Sequence, residues 1–150
     1  MYLIDTNVLS AAAPNRKTRF TPLLEWINAN SDHLFLSVIT VAEIYDGIAK
    51  ARRTGPRATA DKLEHRIGLT LHLYAQRVLP FDIPAARLAG TLNDRARAAG
   101  QAPGFADVAI AATAANRNLI VLTRNLRHFT PLQIPALDPF QALPDSPRNA

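Results

Sequence analysis

Short apolar runs separated by longer amphipathic stretches fill most of the chain, and this pattern predicts strands that alternate with helices. We predict strands in the apolar runs at residues 2–4, 34–38, 78–81, 119–122 and 134–137. Apolar residues recur at helical spacing in the stretches 20–30, 40–53, 58–75, 85–99 and 105–115. Such alternation favours an α/β fold, here a three-layer α/β/α sandwich around a parallel sheet of four or five strands.

Polar residues and glycines mark the predicted helix ends. Thr40 and Glu43 have the spacing of a capping box, which predicts a helix start at Thr40. Asp82 is well placed to cap the helix that follows it, and Gly100 to end that helix. A break is expected at residues 11–15.

The length of 150 residues, 48% of them hydrophobic, suits one domain with one core. We predict that domain at residues 1–142, followed by a flexible tail at 143–150. The chain has no cysteine, which excludes disulfides and thiolate metal sites and favours a cytoplasmic location. No apolar run approaches the roughly 18 residues of a membrane span, so we expect no membrane partner.

A formal net charge of +5 and a pI near 10.2 make the protein basic. Most of the cations are arginines, whose planar guanidinium suits phosphate oxygens, so nucleic acid is a natural partner. An excess this small also fits a solvated surface, and no aromatic residues are interleaved with the arginines as a stacking platform would require. Charge therefore supports a nucleic-acid partner without establishing one.

Three acids lie where parallel topology brings element ends together. Asp5 ends the first predicted strand, while Glu43 and Asp107 lie near helix starts. The carboxyl ends of parallel strands form the ligand-binding edge of open α/β sheets. Each acid also has a plain structural explanation, because Asp5 or Thr6 can cap a helix, Glu43 can complete its capping box and Asp107 can offset a helix dipole. Asp107 fits that explanation least, because its helix is otherwise almost wholly apolar.

If the three acids converge, their repulsion requires a cation or a proton. Two unit charges about 5 Å apart repel by roughly 3 kcal/mol at an effective dielectric near 20. Oxygen donors with open positions suit Mg²⁺ or Mn²⁺, and such an ion beside arginines indicates phosphodiester hydrolysis by an activated water. The histidines have no metal-ligand spacing and are expected to be surface or packing residues; they are His33, His65, His72 and His128.

Five segments, in order, carry a resemblance to a known family. They are Ile4-Asp5-Thr6-Asn7-Val8-Leu9-Ser10, Leu36-Ser37-Val38-Ile39-Thr40-Val41-Ala42-Glu43 with Gly47 following, Gly100-Gln101-Ala102-Pro103 before Asp107, Ile110-Ala111-Ala112-Thr113-Ala114, and Leu122-Thr123-Arg124-Asn125. Together they closely resemble the PIN-domain ribonucleases, and among these the VapC toxins of toxin–antitoxin pairs, especially the FitB-like branch. The matches extend from residue 2 to about residue 140.

The resemblance implies a Mg²⁺- or Mn²⁺-dependent endoribonuclease in which Asp5, Glu43 and Asp107 hold metal and position water. It implies that Thr6 and Thr123 orient carboxylates or a phosphate. It also implies a homodimer and a VapB-like antitoxin whose carboxyl-terminal segment blocks the active-site groove. Known relatives favour structured RNA, often transfer RNA.

Many members have an aspartate where this chain has His128, just before Phe129. This departure predicts weaker binding of a second metal, with Asn125 still able to offer an oxygen to a metal-bound water and neutral His128 able to bond a phosphate. Arg124 is a candidate phosphate contact. The alternative function is a non-catalytic RNA-binding or regulatory module with a degenerate site. A phosphatase would usually carry a second aspartate at the position of Asn7, which counts against that class.

Overall fold

A computed structural model describes residues 1–11 and 21–145. Its centre is a five-stranded sheet in the order β3-β2-β1-β4-β5, with every neighbouring pair parallel. The strands are β1 Tyr2–Ile4, β2 Leu34–Ser37, β3 Val78–Leu79, β4 Ile120–Leu122 and β5 Ala136–Leu137. The helices are α1 Thr6–Ala11, α2 Thr21–Ala29, α3 Val38–Thr54, α4 Arg57–Leu73, α5 Ile83–Ala98, α6 Phe105–Asn116 and α7 Leu126–Phe129. The prediction of a parallel α/β fold is confirmed.

The sheet separates two apolar layers, because successive strand residues point to opposite faces. Leu3 and Val121 pack on one face with residues of α5 and α6, and with Phe129. The opposite face carries Ile4 and residues of α2, including Trp26, whose ring meets the ring of Tyr2 edge-on at 5.4 Å between centroids. A third cluster joins α3 to α4. These layers form the predicted α/β/α sandwich.

The register of the central strands brings three polar residues to one edge. Ile4 of β1 pairs with Leu36 of β2 and with Leu122 of β4. Asp5, Ser37 and Thr123 follow these three residues directly in the chain. The Asp5 N–H continues the ladder by donating to the Leu122 carbonyl at 3.0 Å. Asp5 therefore lies at the carboxyl end of the middle strand, as the sequence predicted.

Helix α3 begins earlier than predicted. Ser37 is its N-cap, and its hydroxyl accepts from the Ile39 N–H at 3.1 Å. Val38 is thus helical, and Thr40 lies inside the first turn with a fully buried hydroxyl. The predicted capping box of Thr40 and Glu43 is wrong because Ser37 already supplies the cap.

The boundaries of the other predicted helices agree with the sequence to within about two residues, whereas the short helices α1 and α7 were not among the predicted stretches. The Asp82 carboxylate accepts from the Ala85 N–H at 3.0 Å and caps α5, as predicted. Gly100 follows that helix with φ of +72°, a conformation that glycine adopts without strain. Strands β3 and β5 are each two residues shorter than the apolar runs that predicted them. Most of the predicted break at 11–15, and Phe20, lie outside the described residues.

The chain remains against the domain as far as its last described residues. Pro144 is buried, and the Tyr2 hydroxyl donates to the Asp145 carbonyl at 2.9 Å. The bounds of 1–142 for the domain and 143–150 for a flexible tail stay a prediction, since residues 146–150 are not described. In the described part of the chain, no helix combines the length and apolar character needed to cross a membrane.

Candidate active site

The Asp5 carboxylate is buried and held by three donors. Its side chain accepts from the Thr6 N–H at 2.7 Å on Oδ1, and from Asn7 Nδ2 at 2.6 Å and the Thr123 hydroxyl at 2.7 Å on Oδ2. An N-cap side chain would bond the second or third helical N–H of α1, whereas Asp5 bonds the first. The carboxylate is therefore oriented by the hydrogen bonds from Thr6, Asn7 and Thr123 and not by an N-cap contact.

Burial raises the pKa of Asp5 above the usual carboxyl value. The hydrogen bonds from Thr123 and Thr6 oppose this shift, and the charges of Glu43 and Asp107 add to it. The two other predicted acids are thus near enough to act on the Asp5 carboxylate electrostatically. A bound cation would reverse this penalty by favouring the ionised form.

Glu43 faces this site from the second turn of α3. The Thr6 hydroxyl donates to Glu43 Oε2 at 2.5 Å, which links the start of α1 to α3. Glu43 is exposed, and it orients toward the Asp5 edge instead of capping its own helix. The hydrogen bond is compatible with the carboxylate-orienting role that the resemblance implied for Thr6, and that role stays a prediction.

Asp107 lies in the first turn of α6 and contacts His128. Its Oδ2 is 3.2 Å from His128 Nδ1, and the two side chains are 24% and 36% exposed. The helix is buried from Val108 to Ala114, as its apolar sequence predicted, but Phe105 at its start is exposed. A Cβ at Gly104 would stand 3.4 Å from the same Oδ2, so the Gly104 backbone passes close to the carboxylate.

The Thr123 hydroxyl takes part in three hydrogen bonds at the start of the loop after β4. This buried hydroxyl donates to Asp5 and accepts from Asn7 Nδ2 at 3.1 Å and from the Asn125 N–H at 3.0 Å. Asn7 also accepts from the Arg124 N–H at 3.0 Å. The sequence interpretation missed Asn7 as a site residue. Its signal was its place two residues after Asp5 in the loop that leaves β1.

The predicted metal ligands come to one edge without forming a closed metal site. Over residues 1–11 and 21–145, no three acidic or histidine side chains are grouped tightly enough to hold an ion. Glu43 is engaged by Thr6, and Asp107 by His128. The donor set is nevertheless of hard oxygen atoms around a buried carboxylate, which fits Mg²⁺ or Mn²⁺. The metal assignment stays a prediction.

Some of the arginines pair with carboxylates. Arg52 contacts Asp61 and Glu64 at 2.9 and 2.6 Å. Arg77 and Arg117 pair with Asp32 and Asp82, respectively. These three arginines thus serve ion pairs, which agrees for them with the plain explanation of the charge. Arg124, by contrast, lies at the edge of the acids.

A groove opens from the acidic edge between the first four helices. Its cavity is about 810 Å³, with Thr6 and Glu43 in the lining. Most of the remaining lining is apolar and includes Leu9, Ile44 and Ile67. This groove is large enough for side chains of a bound segment and adjoins the acids.

Comparison with known proteins matches residues 2–130 to the PIN domain. The chain belongs to the PIN domain family. It is 38% identical over 147 residues to the VapC ribonuclease Y4jK of Sinorhizobium fredii (94% of this chain, 99% of the relative). It is 33% identical over 142 residues to Toxin FitB of Neisseria gonorrhoeae (93% and 99%). The crystal structure of FitAcB from Neisseria gonorrhoeae matches with a TM-score of 0.82 at 32% identity, covering 93% of this chain and 99% of that one.

Proposed function

We propose that the protein is a metal-dependent endoribonuclease and the toxin of a toxin–antitoxin pair. The observation that carries this proposal is the buried Asp5 carboxylate, whose pKa is raised by burial and further by the charges of Glu43 and Asp107. A site that concentrates negative charge in this way is suited to a divalent cation. The ribonuclease and toxin names of the relatives support the same conclusion.

Asp5, Glu43 and Asp107 would hold the Mg²⁺ or Mn²⁺ ion, with Glu43 and Asp107 turning toward Asp5. Such an ion polarises a phosphoryl oxygen and lowers the pKa of a water, which is the chemistry that phosphodiester hydrolysis needs. Thr123 and Asn7 keep the Asp5 carboxylate in one orientation through their hydrogen bonds.

The remaining site residues complete this arrangement. Thr6 restrains Glu43 through its hydroxyl. Asn125, whose N–H donates to the Thr123 hydroxyl, would offer its amide oxygen to a water of the bound ion.

The partners follow from the same proposal. The RNA substrate, of which transfer RNA is a candidate, would approach the acidic edge. A VapB-like antitoxin would place its carboxyl-terminal segment in the groove between the first four helices and cover Glu43 and Thr6. The apolar lining of that groove suits a peptide better than RNA. We also propose a homodimer that acts in the cytoplasm.

One observation favours a second function, a non-catalytic RNA-binding module. His128 contacts the Asp107 carboxylate at the position where many family members have an aspartate. If this contact kept Asp107 from the metal, the fold would bind RNA without cleaving it. RNA binding that a chelator does not change, together with intact RNA, would identify this case.

The proposal is tested with purified protein freed of antitoxin and incubated with total bacterial RNA. We expect discrete fragments with Mn²⁺, none with EDTA, and none from Asp5→Asn or Asp107→Asn. Asp94→Asn is the matched control, because Asp94 is exposed near the far end of α5, and this variant should cleave like the wild type. Intact RNA in every lane, from folded protein, would overturn the proposal.

A further inference from the structure

Arg124 lies beside the acids and is fixed to them through its backbone. It leaves β4 one residue after Thr123, and its N–H donates to Asn7 Oδ1 at 3.0 Å. Asn7 Nδ2 in turn bonds Asp5 Oδ2 at 2.6 Å. The position of the Arg124 main chain is thus tied to the Asp5 carboxylate through a single side chain.

The side chain of Arg124 rests on an aromatic ring. Its guanidinium carbon lies 4.9 Å from the centroid of the Phe140 ring. Phe140 is itself held, because its N–H donates to Asp138 Oδ1 at 2.9 Å and the ring packs against the apolar layer that contains Ile4. We call these two residues the Arg124–Phe140 pair. A ring under the guanidinium restricts its rotamers, and a cation held in this way can still direct N–H donors to another ligand.

Among residues 1–11 and 21–145, no acid forms an ion pair with Arg124. Arg52, Arg77 and Arg117 all have carboxylate partners. For Arg124, no ion pair with a carboxylate occurs in the described ranges, although three acids lie at the same edge. A restrained guanidinium can bind a phosphate oxygen, and its charge offsets the repulsion between the phosphate and the nearby acids.

We propose that the Arg124–Phe140 pair binds a backbone phosphate of the RNA that neighbours the cleaved bond. This inference rests on the proposed function and assigns a substrate contact within it. Arg124 supplies the charge and the planar donors, and Phe140 keeps them in place. Because a phosphate contact is independent of base identity, the pair contributes to affinity for any RNA sequence.

The test is RNA binding without cleavage, measured by fluorescence anisotropy of a short labelled oligouridine in EDTA over a range of salt concentrations. Arg124→Ala should weaken binding about tenfold at low salt, as loss of one charge-assisted contact predicts. It should also reduce the slope of log affinity against log salt by about 0.7. Phe140→Leu should weaken binding about threefold with the slope unchanged, because the charge remains and only its restraint is lost.

Two further variants make the result specific. Arg124→Lys should keep the salt slope but recover only part of the affinity, because lysine lacks the planar fork. Arg95→Ala removes an exposed arginine in the last turn of α5, toward the opposite edge of the sheet, and should leave affinity and slope close to wild type. Arg124 is exposed and its bond to Asn7 uses the backbone, so its variants should fold normally.

The outcomes separate this inference from the proposed function. If wild-type protein cleaves RNA with Mn²⁺ but Arg124→Ala binds oligouridine with wild-type affinity and slope, the phosphate contact is refuted and the nuclease stands. If wild-type protein cleaves no RNA but Arg124→Ala still lowers the salt slope, the contact stands and the nuclease is refuted. Equal losses in Arg124→Ala and Arg95→Ala would show general charge attraction and would overturn the inference.

Discussion

Replacing Thr123 with valine removes one hydroxyl and keeps the side-chain shape. That hydroxyl makes the hydrogen bond to Asp5 Oδ2 at 2.7 Å and accepts the Asn125 N–H. Asn125 is exposed, so water can replace its lost partner. Asp5 is only 6% exposed, so the carboxylate loses a donor that water cannot easily replace. A bond to a buried charged group contributes about 1.5–3 kcal/mol.

The loss should depend on pH. Burial already raises the pKa of Asp5, and the bond from Thr123 is the largest effect that lowers it. The raised pKa means that ionised Asp5 costs stability as pH rises through the folded-state value. Removing the hydroxyl raises that pKa further and increases the cost. The stability difference between wild type and Thr123→Val should thus be largest at neutral pH and shrink once Asp5 is protonated.

Chemical denaturation in EDTA at pH 7 and near pH 4 measures this effect, with Thr123→Ser as the control that keeps a hydroxyl. At pH 7 we expect Thr123→Val to lower the free energy of unfolding by about 1.5–3 kcal/mol, or the Tm by about 3–12 °C. An equal loss at both pH values would show that the hydroxyl does not stabilise the ionised carboxylate and would refute the argument.

Two further predictions concern His128 and Thr40. His128→Asp should tighten Mn²⁺ binding about tenfold in calorimetric titration, because it replaces the imidazole beside Asp107 with a fourth carboxylate; an unchanged affinity would remove His128 from the site. Thr40→Val should raise the free energy of unfolding by about 1 kcal/mol in denaturant titration, since the buried Thr40 hydroxyl has no hydrogen-bond partner in the described structure. A less stable Thr40→Val would show that this hydroxyl has a partner after all.

The strands and the edge with the acids could be predicted from the sequence because they depend on local pattern. Tyr2–Ile4 is a compact apolar run that stops at an acid, and the structure places that strand in the middle of the sheet. The convergence of Asp5, Glu43 and Asp107 on one edge then follows from parallel topology. The charges of Glu43 and Asp107 both raise the pKa of Asp5, which supports that prediction.

Other features needed contacts between distant residues. The hydroxyl of Thr123 meets the Asp5 carboxylate across 118 positions of the chain, and no local pattern indicates which polar residue will complete such a bond. The contact between His128 and Asp107 has the same origin. The predicted start of α3 was wrong for a different reason. Ser37 and Thr40 are both suitable N-caps, and only packing decides between them.

The central claim is that Asp5 after β1, Glu43 of α3 and Asp107 of α6 form one metal site. The most direct test is calorimetric titration of Mn²⁺ into the wild type and into Asp5→Asn, Glu43→Gln and Asp107→Asn. Each single variant should lose at least about tenfold in affinity, because all three carboxylates act on the same ion, whereas Asp94→Asn should bind like wild type. Wild-type affinity in any one of the three variants would contradict the shared site, and absence of Mn²⁺ binding by folded wild-type protein would contradict the account as a whole.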